Sequence, residues 1–160
     1  MNHSAYIVRH RKENVKKCSL RYIEQETDRF RFFTYPTDCL SLEFDLPTEC
    51  FLLHIDGEEL KSSETEPLVL LDGTWRYSEV MYRMIPSVQR LPKRSLPSGW
   101  RTAYPRRQPD CSDPTRGLAS LEALYIAFLI TGRKTDDLLN GYYWKERFLE
   151  INNNLIKKYI

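Results

Sequence analysis

The stretch Leu-Val-Leu-Leu-Asp-Gly-Thr-Trp, residues 68–75, joins a continuous apolar run to a turn that carries a carboxylate. Four consecutive apolar residues are typical of a strand that is buried on both faces of a parallel sheet. At the end of such a strand a ligand can meet backbone N–H groups and the Asp72 carboxylate together, and Gly73 lets the backbone pass close to it. Because Asp and Thr commonly cap helices, these residues alone favour a capping role for Asp72 and a core position for Trp75.

Strand-like runs lie on both sides of this stretch. Segments rich in apolar, aromatic and β-branched residues predict strands at Ala5–Arg9, Phe30–Tyr35 and Cys50–Ile55. Two further short strands are expected near Ser95–Leu96 and Arg101–Tyr104. Strands that alternate with helices indicate an α/β sandwich with a mostly parallel sheet.

Three helical regions are predicted. Leu118–Thr131 is apolar almost all round, so it should be buried, and Gly132 suits the C′ position just after it. Trp75–Ile85 follows the apolar strand as a second helix. The last region is Thr135–Tyr159, with its first residue as N-cap, and Gly141 is expected to break or bend it.

Composition excludes several classes of protein. The chain has 160 residues, of which 41% are hydrophobic and 29% charged, so it is expected to be one soluble, globular unit. No run approaches the ~18–20 apolar residues that span a bilayer, and residues 1–10 lack the apolar core of a secretory signal, so a cytoplasmic location is the expectation. None of the four cysteines forms a Cys-x-x-Cys pair, and we expect no metal.

The net charge of +2 hides an uneven distribution. Residues 76–107 hold eight basic residues and one acid, and residues 1–31 hold eight basic residues and four acids. Between them, residues 38–72 hold ten acids and one lysine. This pattern is compatible with an ordinary solvated surface, but it also predicts a basic face, whose usual partner is backbone phosphate.

Two segments stand out as candidate functional loops. Residues 100–117 are dense in Arg and Pro and lead into the apolar helix, and long loops inside compact domains are often functional. Residues 9–19 are strongly basic, although an exposed charged loop would also explain them.

These features occur together, in one order, in a known family. The segment Leu70–Arg83 resembles the signature of DTW-domain proteins, which takes its letters from Asp72, Thr74 and Trp75. Residues 104–107 (Tyr-Pro-Arg-Arg) and 118–123 (Leu-Ala-Ser-Leu-Glu-Ala) resemble that family's Arg-rich loop and helix start. Residues 16–20 and the C-terminal residues 144–156 resemble the related aminocarboxypropyltransferases of ribosomal RNA.

The resemblance implies a SPOUT-like α/β sandwich with a trefoil knot near the C-terminus. It divides the chain into residues 1–48, a small, basic, β-rich segment that faces RNA, and residues 49–160, the cofactor-binding and catalytic domain. The implied reaction transfers the 3-amino-3-carboxypropyl group from S-adenosylmethionine to N3 of a uridine or pseudouridine. The family also tends to be monomeric.

Site residues follow from the same resemblance. Asp72 would accept the N3 proton or orient the base, and Trp75 would cover the cofactor's methyl group. Ser19 and Ser120 would hold the amino-acid carboxylate. The rest of the cofactor pocket would comprise Leu53, Ile55, Gly73, Thr74, Leu96, Arg116 and Leu118. RNA phosphates would contact Arg11, Lys12, Arg101, Arg106 and Arg107.

Several alternatives stay open. The chain lacks the cysteine-rich N-terminal cluster common in the branch that acts on transfer RNA, and it has Gly-Thr-Trp where the ribosomal branch usually has Cys-Ser-Trp. The sequence is thus a hybrid of the two branches, and of the two substrates ribosomal RNA is favoured, with transfer RNA as the alternative. A SPOUT methyltransferase would use the same pocket and cofactor. Two further alternatives have no enzymatic activity: a non-catalytic RNA-binding or ribosome-assembly protein, and a plain structural domain.

Overall fold

The structure is a computed structural model that describes residues 3–13, 18–41, 44–104 and 117–160. Its described part holds five strands, five α-helices and one 3₁₀ helix. The strands are β1 (Ala5–His10), β2 (Phe30–Tyr35), β3 (Phe51–Glu59), β4 (Leu68–Asp72) and β5 (Lys93–Ser95). The helices are the 3₁₀ helix Ser19–Ile23, α1 (Trp75–Met84), α2 (Pro86–Gln89), α3 (Ser120–Ile130), α4 (Lys145–Ile151) and α5 (Asn153–Ile156).

All five strands form one parallel sheet in the order β2-β1-β4-β3-β5. The mixed α/β fold and the largely parallel sheet that the sequence predicts are therefore confirmed. Strands β1 and β2 lie in the same sheet as β4, so residue 48 does not mark a division between sheets. Because β1 and β4 run in parallel and in register, their carboxyl ends meet at the same edge, where Arg9 pairs with Asp72.

The sheet has a hydrophobic core on each face. Successive side chains of a strand point to opposite faces, so alternate residues of the inner strands belong to different cores. Ala5 and Ile7 of β1 belong to the core under α3, whereas Tyr6 and Val8 belong to the core under α1. Strand β4 divides its four apolar residues in the same way. This two-sided burial explains why the run at residues 68–71 is apolar without alternation.

Helix α3 belongs to the core on one face of the sheet. Nine of its eleven residues are buried, as its all-round apolar sequence predicts. The helix is followed by Gly132, whose φ of +71° is the left-handed conformation that glycine adopts without strain.

Two expectations about regular structure are wrong. Residues 101–104 form no strand, because their polar groups bind elsewhere: the backbone of Arg101 bonds with the Asn152 side chain, and Ala103 donates to Glu122. Residues 135–144 form turns, and the helix that was expected from Thr135 begins only at Lys145. Among the described residues, no helix is long and apolar enough to cross a membrane.

Candidate active site

The Asp72 carboxylate lies at the end of β4 and is 2% exposed. Its Oδ2 atom accepts hydrogen bonds from Nε of Arg9 and from the Cys18 thiol, each over 3.1 Å. Its Oδ1 atom accepts a hydrogen bond from the Ser120 hydroxyl over 2.7 Å. A buried carboxylate is thus held by groups from β1, from α3 and from the residue just before the 3₁₀ helix.

The alternation of the strands explains why these groups meet. Asp72 follows Leu68 and Leu70 on the face of β4 that packs under α3, and Arg9 follows Ile7 on the same face of β1. The carboxylate therefore points to the first turn of α3 and not to α1. A helix N-terminus carries partial positive charge, which stabilises a carboxylate beside it.

This geometry corrects the two simple roles that the residues alone favour. Asp72 does not cap α1, because the N-cap is Thr74, which makes no side-chain capping bond. Trp75 is not in the core either, since it is 36% exposed at the start of α1. Gly73 is half-buried and Thr74 is exposed, so the stretch presents its last residues to solvent.

Charge is compensated around Asp72 by a short chain of ion pairs. Arg9 pairs with Asp72 through Nε and with Glu24 through Nη1, the second over 2.6 Å. Its Nη2 also donates to the Cys18 sulfur over 3.5 Å. Burial, followed by the nearby Asp72 carboxylate, raises the pKa of the Cys18 thiol to about 12, although Arg9 opposes the shift. Cys18 is therefore a neutral thiol that keeps its proton and donates a hydrogen bond to Asp72.

Two side chains from other segments, Ser19 and Asp72, hold the N-terminus of α3. The Ser19 hydroxyl accepts a hydrogen bond from the Leu121 backbone N–H over 3.0 Å. The Ser120 hydroxyl, on the first residue of the helix, is the group that donates to Asp72. Ser19, Ser120 and Asp72 are thus brought together, as their assignment to one pocket requires.

Glu122 is fully buried and joins this helix start to the chain around it. Its Oε1 atom accepts from the Ala119 N–H and the Thr102 hydroxyl over 2.8 and 2.7 Å. Its Oε2 atom accepts from the Ala103 N–H and the Tyr142 hydroxyl over 2.9 and 3.1 Å. Four donors from three segments hold one carboxylate, so it fixes residues 102–103 and 142 relative to α3.

A cavity of about 380 Å³ opens beside the cluster. Cys18 and Ser19 form part of its wall, so it borders the groups that hold Asp72 and α3. The remaining wall is largely aromatic and consists of Arg21, Tyr22, Tyr104, Gly141, Tyr142, Tyr143 and Trp144.

The other predicted cofactor residues differ in how far they are buried. Leu53, Leu96 and Leu118 are partly buried against the same apolar core that α3 enters. Ile55 is 49% exposed on β3 and is not part of that core. Arg116 lies outside the described residues.

The predicted RNA contacts lie on the surface where the structure describes them. Arg11 and Lys12 are exposed directly after β1, near the edge that holds Asp72, and Arg101 is exposed before α3. Arg106 and Arg107 lie outside the described residues. No group of three or more His, Cys, Asp or Glu in the described ranges could hold a metal ion.

Three important residues were not predicted from the sequence: Arg9, Cys18 and Glu122. Arg9 carried a signal, because a charged residue at the end of an apolar strand needs a partner when the strand is central in a sheet. Glu122 also carried one, because Glu at the third position of a helix often bonds back to the N-cap N–H. Cys18 carried no signal, since its role depends on its contact with β4.

Comparisons with known proteins agree with this architecture. The family model of the DTW domain matches residues 2–156. Among solved structures, the chain is similar to the SAM-dependent rRNA:acp-transferase Tsr3 from Vulcanisaeta distributa, with a TM-score of 0.68 and 20% sequence identity. The similarity covers 97% of this chain and 81% of the other, and at this identity it concerns the fold. No curated protein matches the chain.

Proposed function

Because the chain belongs to the DTW domain family, we propose that it is an S-adenosylmethionine-dependent enzyme that transfers the 3-amino-3-carboxypropyl group to N3 of a uridine or pseudouridine in structured RNA. The similar structure from Vulcanisaeta distributa is that of a SAM-dependent rRNA acp-transferase, which supports both the cofactor and the reaction class. The observation that carries the proposal is the Asp72 carboxylate, buried at the end of a parallel strand against the N-terminus of α3.

The donor groups of this site fit the cofactor. S-adenosylmethionine joins a sulfonium and an ammonium to a carboxylate, so its binding site needs both a negative group and hydrogen-bond donors. Asp72 supplies the negative group, and the Ser19 hydroxyl beside the N-terminus of α3 supplies a donor, because its oxygen only accepts a bond from Leu121. Ser120 would become a second donor when its hydroxyl proton turns from Asp72 to the cofactor carboxylate. When bound, the cofactor would supply a carbon activated by the sulfonium: the bond from N3 to this carbon would form as the carbon–sulfur bond breaks, and methylthioadenosine would leave with the electron pair.

The remaining contacts are assigned by resemblance to the family. Leu53, Leu96 and Leu118 provide the partly buried apolar surface for the adenosine, and the exposed ring of Trp75 covers the methyl group. The adenosine contacts also include Ile55 and Arg116, and the turn Gly73–Thr74 borders the pocket. We also propose the SPOUT-like winding with a trefoil knot near the C-terminus as the frame of this pocket.

Asp72 prepares the nucleophile in this proposal. The N3 nitrogen must lose a proton as it forms its bond to carbon, and a positioned carboxylate can accept that proton. Oδ1 carries one described hydrogen bond and Oδ2 carries two, so Oδ1 is the oxygen assigned to proton transfer. Arg9 and Cys18 hold the carboxylate in this orientation.

RNA would approach along the cations near this edge of the sheet. Arg11, Lys12 and Arg101 are exposed and are assigned to backbone phosphates, together with Arg106 and Arg107. The target base is unpaired, because pairing blocks N3. Ribosomal RNA is the favoured substrate and transfer RNA the alternative. A monomeric state, a cytoplasmic location and an RNA-facing role for residues 1–48 stay predictions.

The test uses two labelled cofactors. Purified protein is incubated with unmodified total RNA and S-adenosylmethionine labelled either in the carboxyl carbon or in the methyl group. We expect carboxyl label and no methyl label in the RNA. Methyl label alone would make the protein a methyltransferase, and neither label, without cofactor affinity, would indicate a non-catalytic RNA-binding protein.

Trp75 offers a sharper test of the cofactor site. Trp75 is 36% exposed and packs in neither core, so Trp75→Ala should lower the free energy of unfolding by about 1–2 kcal/mol and leave the chain folded. Calorimetry should show at least tenfold weaker cofactor binding by Trp75→Ala, and binding within threefold of the wild type by Trp75→Phe, which keeps an aromatic ring. Unchanged affinity in the alanine variant would remove Trp75 from the pocket.

A further inference from the structure

The cavity of about 380 Å³ has a wall in common with the Asp72 cluster. Cys18 lines the cavity and also donates a hydrogen bond from its thiol to Asp72. Ser19 lines it as well and accepts the hydrogen bond from the N-terminus of α3. A molecule in this cavity would therefore lie next to the groups that position the reacting carboxylate.

The rest of the wall consists of residue types that stack nucleobases. The Arg21 guanidinium lies over the Tyr22 ring, 4.7 Å from its centre, and donates to the Tyr22 hydroxyl over 2.6 Å. Tyr143 is 79% exposed and meets Trp144 edge-to-face at 4.8 Å. Aromatic rings together with Arg planes are the surfaces on which proteins stack unpaired nucleobases.

The wall is a built part of the fold. A Cβ on Gly141 would come within 2.7 Å of the Tyr22 ring, so only glycine allows that ring to pack against the backbone there. The neighbouring Tyr142 is buried and donates to Glu122, which also bonds the first turn of α3. The aromatic wall and the helix that holds Ser120 are thus fixed to the same carboxylate.

We propose that this cavity binds the base of the target nucleotide in single-stranded RNA. The inference rests on the proposed function and adds the place where the base lies. Its volume falls within the range of small-ligand pockets. Exposed Arg21 at its rim can meet the phosphate of the same nucleotide.

The test measures direct binding of hexauridylate and of a hexamer that has the same phosphates but lacks bases. With the full chain, we expect Tyr143→Ala to weaken hexauridylate binding roughly five- to hundredfold, which corresponds to the loss of one base–aromatic stack. Binding of the abasic hexamer should not change. Tyr143→Phe should bind like the wild type, and Tyr159→Ala, which removes a partly exposed ring that stacks on Trp100, serves as the matched control.

A second variant changes the packing of the aromatic wall without removing a ring. Gly141→Ala should displace the Tyr22 ring and weaken hexauridylate selectively, again without effect on the abasic hexamer. Equal weakening of both oligomers by Tyr143→Ala would show a phosphate effect and overturn the proposal. Unchanged binding of hexauridylate would overturn it too.

The two proposals can fail separately. If the wild type transfers carboxyl label to RNA and Tyr143→Ala leaves KM unchanged, the cavity is not the base site although the enzyme activity stands. If the wild type transfers no label but Tyr143→Ala still loses base-dependent binding, the base site stands and the proposed reaction fails.

Discussion

Asp72 and Arg9 form a charge pair that has little access to water. Their side chains are 4% and 12% exposed, and the pair is extended by Glu24. Removing one partner of such a pair leaves an uncompensated charge in a poorly solvated place, which costs more than the pair itself contributes. The bonds from Arg9, Cys18 and Ser120 also hold the Asp72 carboxylate in one orientation, as the proposed role in proton transfer requires.

Arg9→Gln should lower the free energy of unfolding by about 3 kcal/mol, because Asp72 would lose its only close cation among the described residues. Arg21→Gln removes an exposed cation and should cost less than about 0.5 kcal/mol. Urea unfolding at pH 7 measures both. The double variant Arg9→Gln with Asp72→Asn should be more stable than the sum of the single changes predicts. Strict additivity would show that the two residues do not interact.

Cys18 should make stability depend on pH above neutrality. Its folded-state pKa is raised to about 12 from an ordinary 9.0, so the folded state holds the proton more tightly than the unfolded state. This contribution is fully present below pH 9 and is lost as the pH rises from 9 to 12. Between pH 8 and 10.5 the wild type should lose about 2 kcal/mol more than Cys18→Ser. Cys39 and Cys50 shift in the same direction and are common to both proteins. Parallel stability curves would contradict the assignment.

Single residues of this site differ in how far the sequence reveals them. Asp72 could be identified because it ends an apolar strand and belongs to a recognisable motif. The charge of Arg9 at the end of an apolar strand indicated only that it needs a partner, and nothing local marked Cys18, because 63 and 54 residues separate them from Asp72. Pairing across such separations is a tertiary property that local patterns do not contain.

At the scale of elements, the strands and the helix α3 follow from local patterns. The predicted strand Phe30–Tyr35 is confirmed residue for residue, and α3 lies inside the predicted Leu118–Thr131. The turns at residues 135–144 could not be predicted in the same way, because Gly141 is used for contact with Tyr22 and Tyr142 for a bond to Glu122. Tertiary contacts override a helical pattern when buried side chains are better satisfied in turns.

The end of α3 gives an element-scale prediction. Gly132 has a φ of +71°, and a Cβ there would meet no atom within 4 Å, so the effect of a side chain is purely conformational. Gly132→Ala should cost about 1 kcal/mol in unfolding free energy, and Gly132→Asn should cost less, because Asn tolerates the left-handed conformation better. Urea denaturation distinguishes the two. An alanine variant as stable as the wild type would show that the helix can end in another conformation.

For the whole molecule, the small net charge conceals where the cations lie. Arg11 and Lys12 extend beyond the end of β1, close to the edge where Asp72 is buried, and Arg21 lies at the rim of the aromatic cavity. Sequence composition predicts a basic face, but only the parallel sheet brings residues 11–12 and 72 to one edge. In the proposed function, this juxtaposition would place phosphate contacts beside Asp72, and phosphate contacts give affinity and position without sequence choice.

Salt dependence measures this face directly. Each phosphate contact to single-stranded RNA contributes about 0.7 to the slope of log K against log salt concentration, because binding releases condensed counterions. Arg11→Gln with Lys12→Gln should therefore flatten the slope for hexauridylate by about 1.4, and Lys157→Gln with Lys158→Gln, an equally exposed pair at the C-terminal end, should leave it unchanged. A further pair, Arg106→Gln with Arg107→Gln, tests the Arg-rich loop in the same way. If the C-terminal pair flattens the slope as much as the first pair does, the effect is one of net charge, and the RNA does not follow the edge of the sheet that holds Asp72.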